Sequence, residues 1–103
     1  MKDKELLLEA IDHYALLSPT YRRVLKILVQ ITIDNIAIIS IKELTRLVGA
    51  SRISVYHALD LLEKEKFIEK LNIKGSKIGN FAIKPKKLQE IINHYSIKKN
   101  IIL

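Results

Sequence analysis

Apolar residues recur every three or four positions in five stretches of the chain, and each stretch predicts an amphipathic helix with one buried face. The five stretches are residues 1–17, 19–31, 41–48, 52–66 and 86–103. Their core-facing positions are expected to be Leu7, Ile11, Tyr14, Ala15, Tyr21, Val24, Leu25, Leu28, Ile31, Leu44, Leu47, Val48, Val55, Ala58, Leu59, Leu62, Leu88, Ile91, Ile92 and Tyr95. The chain is therefore expected to be mainly helical.

Two other patterns between these helices predict strands. Residues 36–39 form a short, unbroken apolar run rich in β-branched side chains, which is typical of a short strand. Residues 67–85 alternate apolar and polar positions on either side of the sequence KGSKIGN. This alternation indicates an antiparallel hairpin with an open, mobile loop, and Pro85 is expected to close its second strand. The predicted fold class is thus α+β.

Polar residues and a glycine mark the ends of the two central helices. Ser40 and Glu43 have the spacing of a capping box, in which each side chain accepts a hydrogen bond from the other residue's backbone N–H. Gly49 is suited to end this helix in a left-handed conformation, and Ser51 is suited to cap the next one. A single residue separates Gly49 from Ser51, so the sequence predicts two helices joined by a tight turn.

The order helix, short strand, helix, tight turn, helix, hairpin, helix resembles the winged helix-turn-helix superfamily of DNA-binding proteins. The most specific part is SIKELTRLVGASRISVYHALDLLEKEKFI, and the resemblance covers residues 18 to about 95. It implies one domain over residues 1–103 with helices added at both ends. The implied parts are an N-terminal helix at 1–17, the helix-turn-helix at 40–66, a hairpin wing at 67–85 and a C-terminal helix at 86–103.

Two positions depart from the pattern of this superfamily. Thr45 occupies a position where a small alanine commonly lets the two helices approach each other. Lys66 occupies a position where a glycine usually makes the turn from helix to strand. We therefore expect either a looser turn or a longer helix around residue 66.

The net charge of +7 is concentrated in the last third of the chain. Residues 1–65 carry nine basic and nine acidic side chains, whereas residues 66–103 carry nine lysines and two glutamates. Such one-sided basic charge indicates a polyanionic partner, which is either nucleic acid or an anionic membrane surface. The resemblance favours double-stranded DNA.

The second helix of the pair is expected to enter the major groove, which accommodates an α-helix. With its apolar side packed inward, its outward side chains are Arg52, Ile53, Ser54, Tyr56, His57 and Asp60. KGSKIGN is expected to form the tip of the wing, whose lysines reach phosphates or the minor groove while Gly75 and Gly79 let the backbone approach the duplex. The residues expected to contact DNA are Ser40, Lys42, Ser51, Arg52, Ser54, Tyr56, His57, Lys74, Ser76, Lys77 and Lys84.

No pattern in the sequence indicates an enzyme, a metal site or a cofactor. The chain has no cysteine, and His13, His57 and His94 lack the spacings of metal-binding motifs. Its N-terminal residues are rich in acidic side chains, unlike a signal peptide, and no apolar run is long enough to cross a bilayer. We therefore expect a cytoplasmic protein without a membrane partner.

Apolar residues at the two termini predict a homodimer formed through the terminal helices. Leu6, Leu7, Ile11 and Tyr14 at one end, and Ile97, Ile101, Ile102 and Leu103 at the other, exceed what so small a core needs. A two-fold dimer would place two recognition helices about one DNA turn apart. The competing interpretation is that these helices pack against their own domain.

Three functions fit this fold. The first is sequence-specific DNA binding by a dimeric transcriptional regulator, controlled by occupancy or by a partner protein. The second is a centromere-binding adaptor or a replication protein of a plasmid or phage. The third is a winged helix that contacts proteins or RNA, in which the helix-turn-helix face is only scaffold.

Overall fold

A computed structural model describes residues 4–71 and 78–102, which form five helices and three strands. In chain order the elements are α1 (Lys4–Asp12), α2 (Pro19–Ile31), β1 (Ile36–Ser40), α3 (Ile41–Val48), α4 (Arg52–Lys64), β2 (Ile68–Lys70), β3 (Ile78–Ile83) and α5 (Pro85–Ile102). This is the predicted element order and the predicted α+β class. The first helix ends at Asp12, five residues earlier than expected, and Pro85 begins α5 rather than closing the strand before it.

The three strands form one antiparallel sheet in the order β1-β3-β2. β3 is the central strand, since Gly79 pairs with Ile39 of β1 and Ala82 pairs with Glu69 of β2. The predicted hairpin is therefore present as β2 and β3, and β1 extends it to a third strand. The predicted wing-tip residues Lys74, Gly75, Ser76 and Lys77 lie outside the described residues.

The apolar faces of the helices meet in one continuous core. α2 lies at its centre and packs against α1, α3 and α4, while α1 also packs against α5. The fully buried side chains include Leu7, Ile11, Leu25, Leu28, Leu44, Leu59, Leu62, Ile68, Leu88 and Ile91. Two of the predicted core positions are instead exposed to solvent, namely Ala15 and Leu47. Ala15 is exposed because α1 has already ended before it.

Aromatic contacts attach the segment after α1 to α5. The His13 ring stacks on the Tyr95 ring with 5.4 Å between centroids, and Tyr14 meets His94 edge-on at 5.5 Å. Tyr14 and Tyr95 are buried, so these contacts continue the core between the two ends of the chain. The competing interpretation of the terminal helices is thus partly correct, because much of their apolar surface packs within their own chain.

The ends of α3 and α4 follow the local sequence closely. The Glu43 backbone N–H donates to the Ser40 hydroxyl at 3.1 Å, and the Ser54 N–H donates to the Ser51 hydroxyl at 3.1 Å. Gly49 ends α3 with φ of 73°. The capping box is only half formed, however, because the Glu43 carboxylate accepts hydrogen bonds from the Arg46 guanidinium on the next turn. A paired guanidinium binds a carboxylate more strongly than one backbone N–H does.

Lys66 makes the turn from α4 to β2 in a left-handed conformation with φ of 68°. Its N–H donates to the Glu63 carbonyl at 3.0 Å, and the Phe67 N–H donates to the Leu62 carbonyl at 2.9 Å. These two hydrogen bonds form a Schellman motif, which normally places glycine at the position that Lys66 occupies. The turn is therefore neither loose nor preceded by a longer helix, and the expectation for residue 66 was wrong in both forms.

Candidate nucleic-acid interface

α3 and α4 present an exposed helical surface on the side of the molecule away from the core. Val55, Ala58, Leu59 and Leu62 of α4 are buried, as predicted. The opposite side of α4 is open to solvent, and its exposed residues are Arg52, Ile53, Tyr56, His57, Asp60 and Lys64. Sequence periodicity therefore identified the outward face of α4 correctly, because a helix with one buried stripe has only one free side.

Arg52 and Lys42 are the exposed cations nearest the N-termini of α4 and α3. Neither forms an ion pair with another residue in the described ranges 4–71 and 78–102. Both side chains are thus available to an anionic partner without losing an internal contact. The N-terminal ends of helices also favour anions, since their first backbone N–H groups lack partners within the helix.

The predicted serines have structural roles at these helix ends. Ser40 caps α3, and Ser51 both caps α4 and donates its hydroxyl hydrogen to the Ser54 hydroxyl at 2.9 Å. Each oxygen retains a lone pair, but the hydroxyl hydrogen of Ser51 is already used. Ser54 is half-buried, so it lies at the flank of the exposed face of α4 and not at its centre.

Ser54 and His57 line a shallow depression of about 180 Å³ together with the start of α2. The other lining residues are Ser18, Thr20 and Tyr21. Ser18 occupies the N-cap position of α2, but its hydroxyl accepts no hydrogen bond from a backbone N–H of that helix. Local periodicity does not show which distant segment lies beside α4, so these three residues were not predicted to belong to the site.

Glu43 and Arg46 place opposite charges on the exposed side of α3. Arg46 Nε donates to Glu43 Oε2 at 2.9 Å. This hydrogen bond and the positive charge of Arg46 hold the pKa of the Glu43 carboxyl below its usual value. Glu43 therefore stays ionised at neutral pH, and Arg46 neutralises a negative charge that would otherwise lie close to Lys42 and repel a phosphate.

Three lysines around the hairpin are paired with acids. Lys70 pairs with Asp60 of α4, Lys84 with Glu69 at 3.1 Å, and Lys87 with Glu90 at 2.9 Å. The hydrogen bond that the Lys87 ammonium donates to the Glu90 carboxylate also raises the pKa of Lys87. Lysine counts from the sequence therefore overstate the free positive charge at this end of the sheet.

Lys84 lies at the end of β3 opposite the loop that joins β2 to β3. With Lys66, Lys86, Lys87 and Glu90, it lines an open depression of about 320 Å³. Lys66 and Lys86 form no ion pair with any residue that the structure describes. Of the predicted contacts, Lys84 is thus engaged by Glu69, and it lies beside Lys66, which follows the C-terminal end of α4.

Residues 4–71 and 78–102 contain no group of three or more His, Cys, Asp or Glu side chains placed to hold a metal ion. Within the same ranges, no helix combines the length and the apolar character needed to cross a bilayer.

Comparison with known proteins shows similarity at the level of structure. No protein-family model matches the chain. No curated protein matches its sequence significantly. The transcriptional regulator BldR from Sulfolobus solfataricus superposes with a TM-score of 0.59 at 16% identity, over 98% of this chain and 69% of that one.

Two further solved structures are similar. RV1404 from Mycobacterium tuberculosis has a TM-score of 0.54 at 16% identity, over 96% of this chain and 69% of its own. A possible transcriptional regulator from Methanosarcina mazei Go1 has a TM-score of 0.51 at 13% identity, over 97% of this chain and 84% of its own. These likenesses confirm the predicted winged helix-turn-helix fold.

Proposed function

We propose that the protein is a cytoplasmic transcriptional regulator that binds a specific sequence of double-stranded DNA as a homodimer, with no catalytic activity. The observation that carries this proposal is the outward face of α4, which is open to solvent and begins at Arg52, an arginine with no ion-pair partner among residues 4–71 and 78–102. The description of BldR as a transcriptional regulator supports the regulatory role. The net charge of +7 supports a polyanionic partner.

α4 would lie in the major groove with its N-terminal end toward the base edges. The groove is about 12 Å wide and admits one helix. Arg52 would donate two hydrogen bonds to a guanine edge or bind a phosphate, and Tyr56 and His57 would hydrogen-bond to neighbouring bases or phosphates. Because Ser51 and Ser54 bond to each other, they would contact phosphates from the edge of the interface.

The start of α3 and the hairpin would hold the protein on the DNA backbone. Lys42 would bind a phosphate beside the N-terminus of α3, with Ser40 close by. Lys74, Ser76 and Lys77 remain proposed contacts of the wing tip with phosphates or the minor groove. Lys84 would be a peripheral contact, and it must leave Glu69 to reach a phosphate.

The terminal helices would form the dimer interface. Leu7, Ile11 and Tyr14 are buried inside the chain, but Leu6 is 38% exposed and Ile97 is 62% exposed. Pairing of these faces in a second copy would remove apolar surface from water at about 25 cal/mol per Å². A two-fold dimer of this kind requires an inverted-repeat DNA site.

Selection of binding sites from a random-sequence duplex library tests DNA recognition. We expect enrichment of an inverted repeat, followed by loss of about 1–3 kcal/mol of binding free energy in Arg52→Gln, the value of one bidentate contact with guanine. Lys98→Gln is the control for the loss of one positive charge, because Lys98 is an exposed cation on α5, and light scattering must show that this variant has the same oligomeric state as the wild type. Equal binding by both variants, or no enriched sequence, would contradict the proposal.

A second experiment separates DNA binding from the use of a winged helix for protein or RNA contacts. Lys74→Glu and Lys77→Glu together should abolish binding to the selected duplex, since two phosphate contacts are replaced by repulsion. Unchanged binding to the duplex would favour the protein or RNA function. Light scattering of Leu6→Glu and Ile97→Glu variants tests the dimer, which these charges should convert to a monomer.

A further inference from the structure

Ile53 lies at the centre of the outward face of α4. It is the second residue of the helix and is 69% exposed. At 3.6 residues per turn, it lies about half a turn away from the mean direction of the buried residues Val55, Leu59 and Leu62. Any surface that docks on the start of this helix must therefore cover Ile53.

The chemistry of this position differs from that of its neighbours. Arg52, Tyr56 and His57 each carry groups that form hydrogen bonds, whereas Ile53 has a branched aliphatic side chain that forms none. Leu16 and Ile33 are also highly exposed, so exposure by itself does not single out Ile53. What distinguishes Ile53 is its place in the first turn of α4, where the neighbouring outward side chains are polar.

The major groove offers one feature that matches an aliphatic side chain. Base edges in this groove carry hydrogen-bond donors and acceptors, and thymine alone adds an apolar C5-methyl group. Other base edges would leave a donor or acceptor against Ile53 without a partner, which is unfavourable in a desolvated contact.

We propose that Ile53 reads the C5-methyl group of a thymine, so that each half-site contains a thymine opposite the first turn of α4. This inference rests on the proposed function. It goes further because it assigns one base, a thymine, to the side chain of Ile53. The apolar contact with this base would then contribute to sequence specificity together with the contact of Arg52.

Replacement of thymine by uracil tests this contact, because uracil pairs identically and lacks only the methyl group. The duplex enriched from the random library is resynthesised with uracil at one thymine position at a time, symmetrically in both half-sites. With the wild-type protein, uracil at one position should weaken binding about four-fold per half-site, as expected for one methyl group no longer buried.

Three variants assign this effect to Ile53. Ile53→Ala should bind the thymine and uracil duplexes equally, while the conservative Ile53→Val should keep the difference. Ile33→Ala, which shortens a still more exposed isoleucine outside α4, should also keep it. Because Ile53 and Ile33 are exposed, all three variants should unfold at the same temperature as the wild type.

The outcomes separate this inference from the proposed function. If a sequence is enriched but uracil is tolerated at every position, or if the uracil penalty persists in Ile53→Ala, the reading of thymine by Ile53 is wrong and DNA recognition stands. If no sequence is enriched, both are wrong.

Discussion

Asp60 on α4 forms an ion pair with Lys70 on β2 and thereby joins the helix proposed to read DNA to the hairpin beside it. Glu63, nearly one turn further along α4, accepts a hydrogen bond from the Lys70 backbone N–H at 3.0 Å. Two acidic side chains on α4 thus fix the position of β2. The ion pair with Lys70 also neutralises the negative charge of Asp60 on the outward face of α4.

Replacing Asp60 with Asn should strengthen DNA binding. The change removes a negative charge from the outward face and leaves Lys70 paired only with Glu63 at 3.8 Å, so the log-log salt dependence of binding should steepen by up to about one unit. Stability should fall by less than about 1 kcal/mol, because exposed ion pairs contribute little. Anisotropy titrations at several KCl concentrations measure the slope, and urea unfolding measures the stability.

Lys70→Gln is the partner control for this prediction. It leaves Asp60 and Glu63 without their cation, and it should weaken DNA binding at low salt. Weaker binding by Asp60→Asn would instead mean that the carboxylate itself contacts DNA, for example by accepting a hydrogen bond from the cytosine amino group.

Replacing Gly79 with Ala should destabilise the sheet. A Cβ atom at this position would lie 2.5 Å from Phe81 Cε2 and 2.9 Å from the Ile39 carbonyl oxygen on β1. Both distances are well below normal contact, and the backbone oxygen cannot move without disturbing the pairing of β1 with β3. We expect a loss of about 1–3 kcal/mol in urea unfolding, as for other overpacked sites.

A double-mutant cycle with Phe81→Leu tests the cause. Loss of the ring should make Gly79→Ala less costly than it is in the wild type, with the remaining cost due to the Ile39 carbonyl. Equal unfolding of Gly79→Ala and the wild type would show that the strand accepts a side chain at this position.

The prediction from sequence succeeded where the determining residues are neighbours in the chain. The caps at Ser40, Ser51 and Gly49, and the buried stripe of α4, depend on contacts within one or two turns. Gly79 was predicted to serve the wing tip, yet it lies in β3 against β1 because residues 36–40 pair with it from more than 35 positions away. Pairing partners of that kind leave no local signal.

Ion pairs and exposed apolar residues in the proposed interface were missed for a similar reason. Lys84 was expected to contact DNA, and the lysines of residues 66–103 were counted as basic charge. In the structure, Asp60 pairs with Lys70 and Glu69 pairs with Lys84, and these partners come together only in the folded chain. Ile53 was placed correctly on the outward face without receiving a role. Helical periodicity predicts the direction in which a side chain points, whereas the groups that it contacts in a complex depend on the binding partner.

Replacing Thr45 with Val should stabilise the protein. Thr45 Oγ1 is buried and has no hydrogen-bond partner in the part of the chain that the structure describes. Valine keeps the shape of threonine and removes the unsatisfied hydroxyl, whose burial costs about 1–3 kcal/mol. A gain of about 1 kcal/mol should raise the melting temperature by about 4–8 °C for a domain of this size.

Thr45→Ser is the control, because serine retains the hydroxyl and loses the methyl group. It should melt at or below the wild-type temperature. Destabilisation by Thr45→Val would show that the hydroxyl has a partner in solution, such as a bound water molecule.

Replacing Lys66 with Gly should also stabilise the protein. Lys66 adopts φ of 68°, where a side chain with a Cβ atom costs about 1–2 kcal/mol relative to glycine. Glycine loses more conformational entropy on folding, by about 0.4–1 kcal/mol, so the net gain in the free energy of unfolding should lie between about 0 and 1.6 kcal/mol. Urea unfolding measures this gain, and Lys66→Ala separates its two possible sources, because it removes the charge but keeps the Cβ atom. If Lys66→Ala gave the larger gain, charge repulsion among the neighbouring lysines would be the main source of destabilisation at this turn. A gain confined to Lys66→Gly would show that the Schellman motif at the end of α4 forces Lys66 into a backbone conformation that residues with a Cβ atom disfavour.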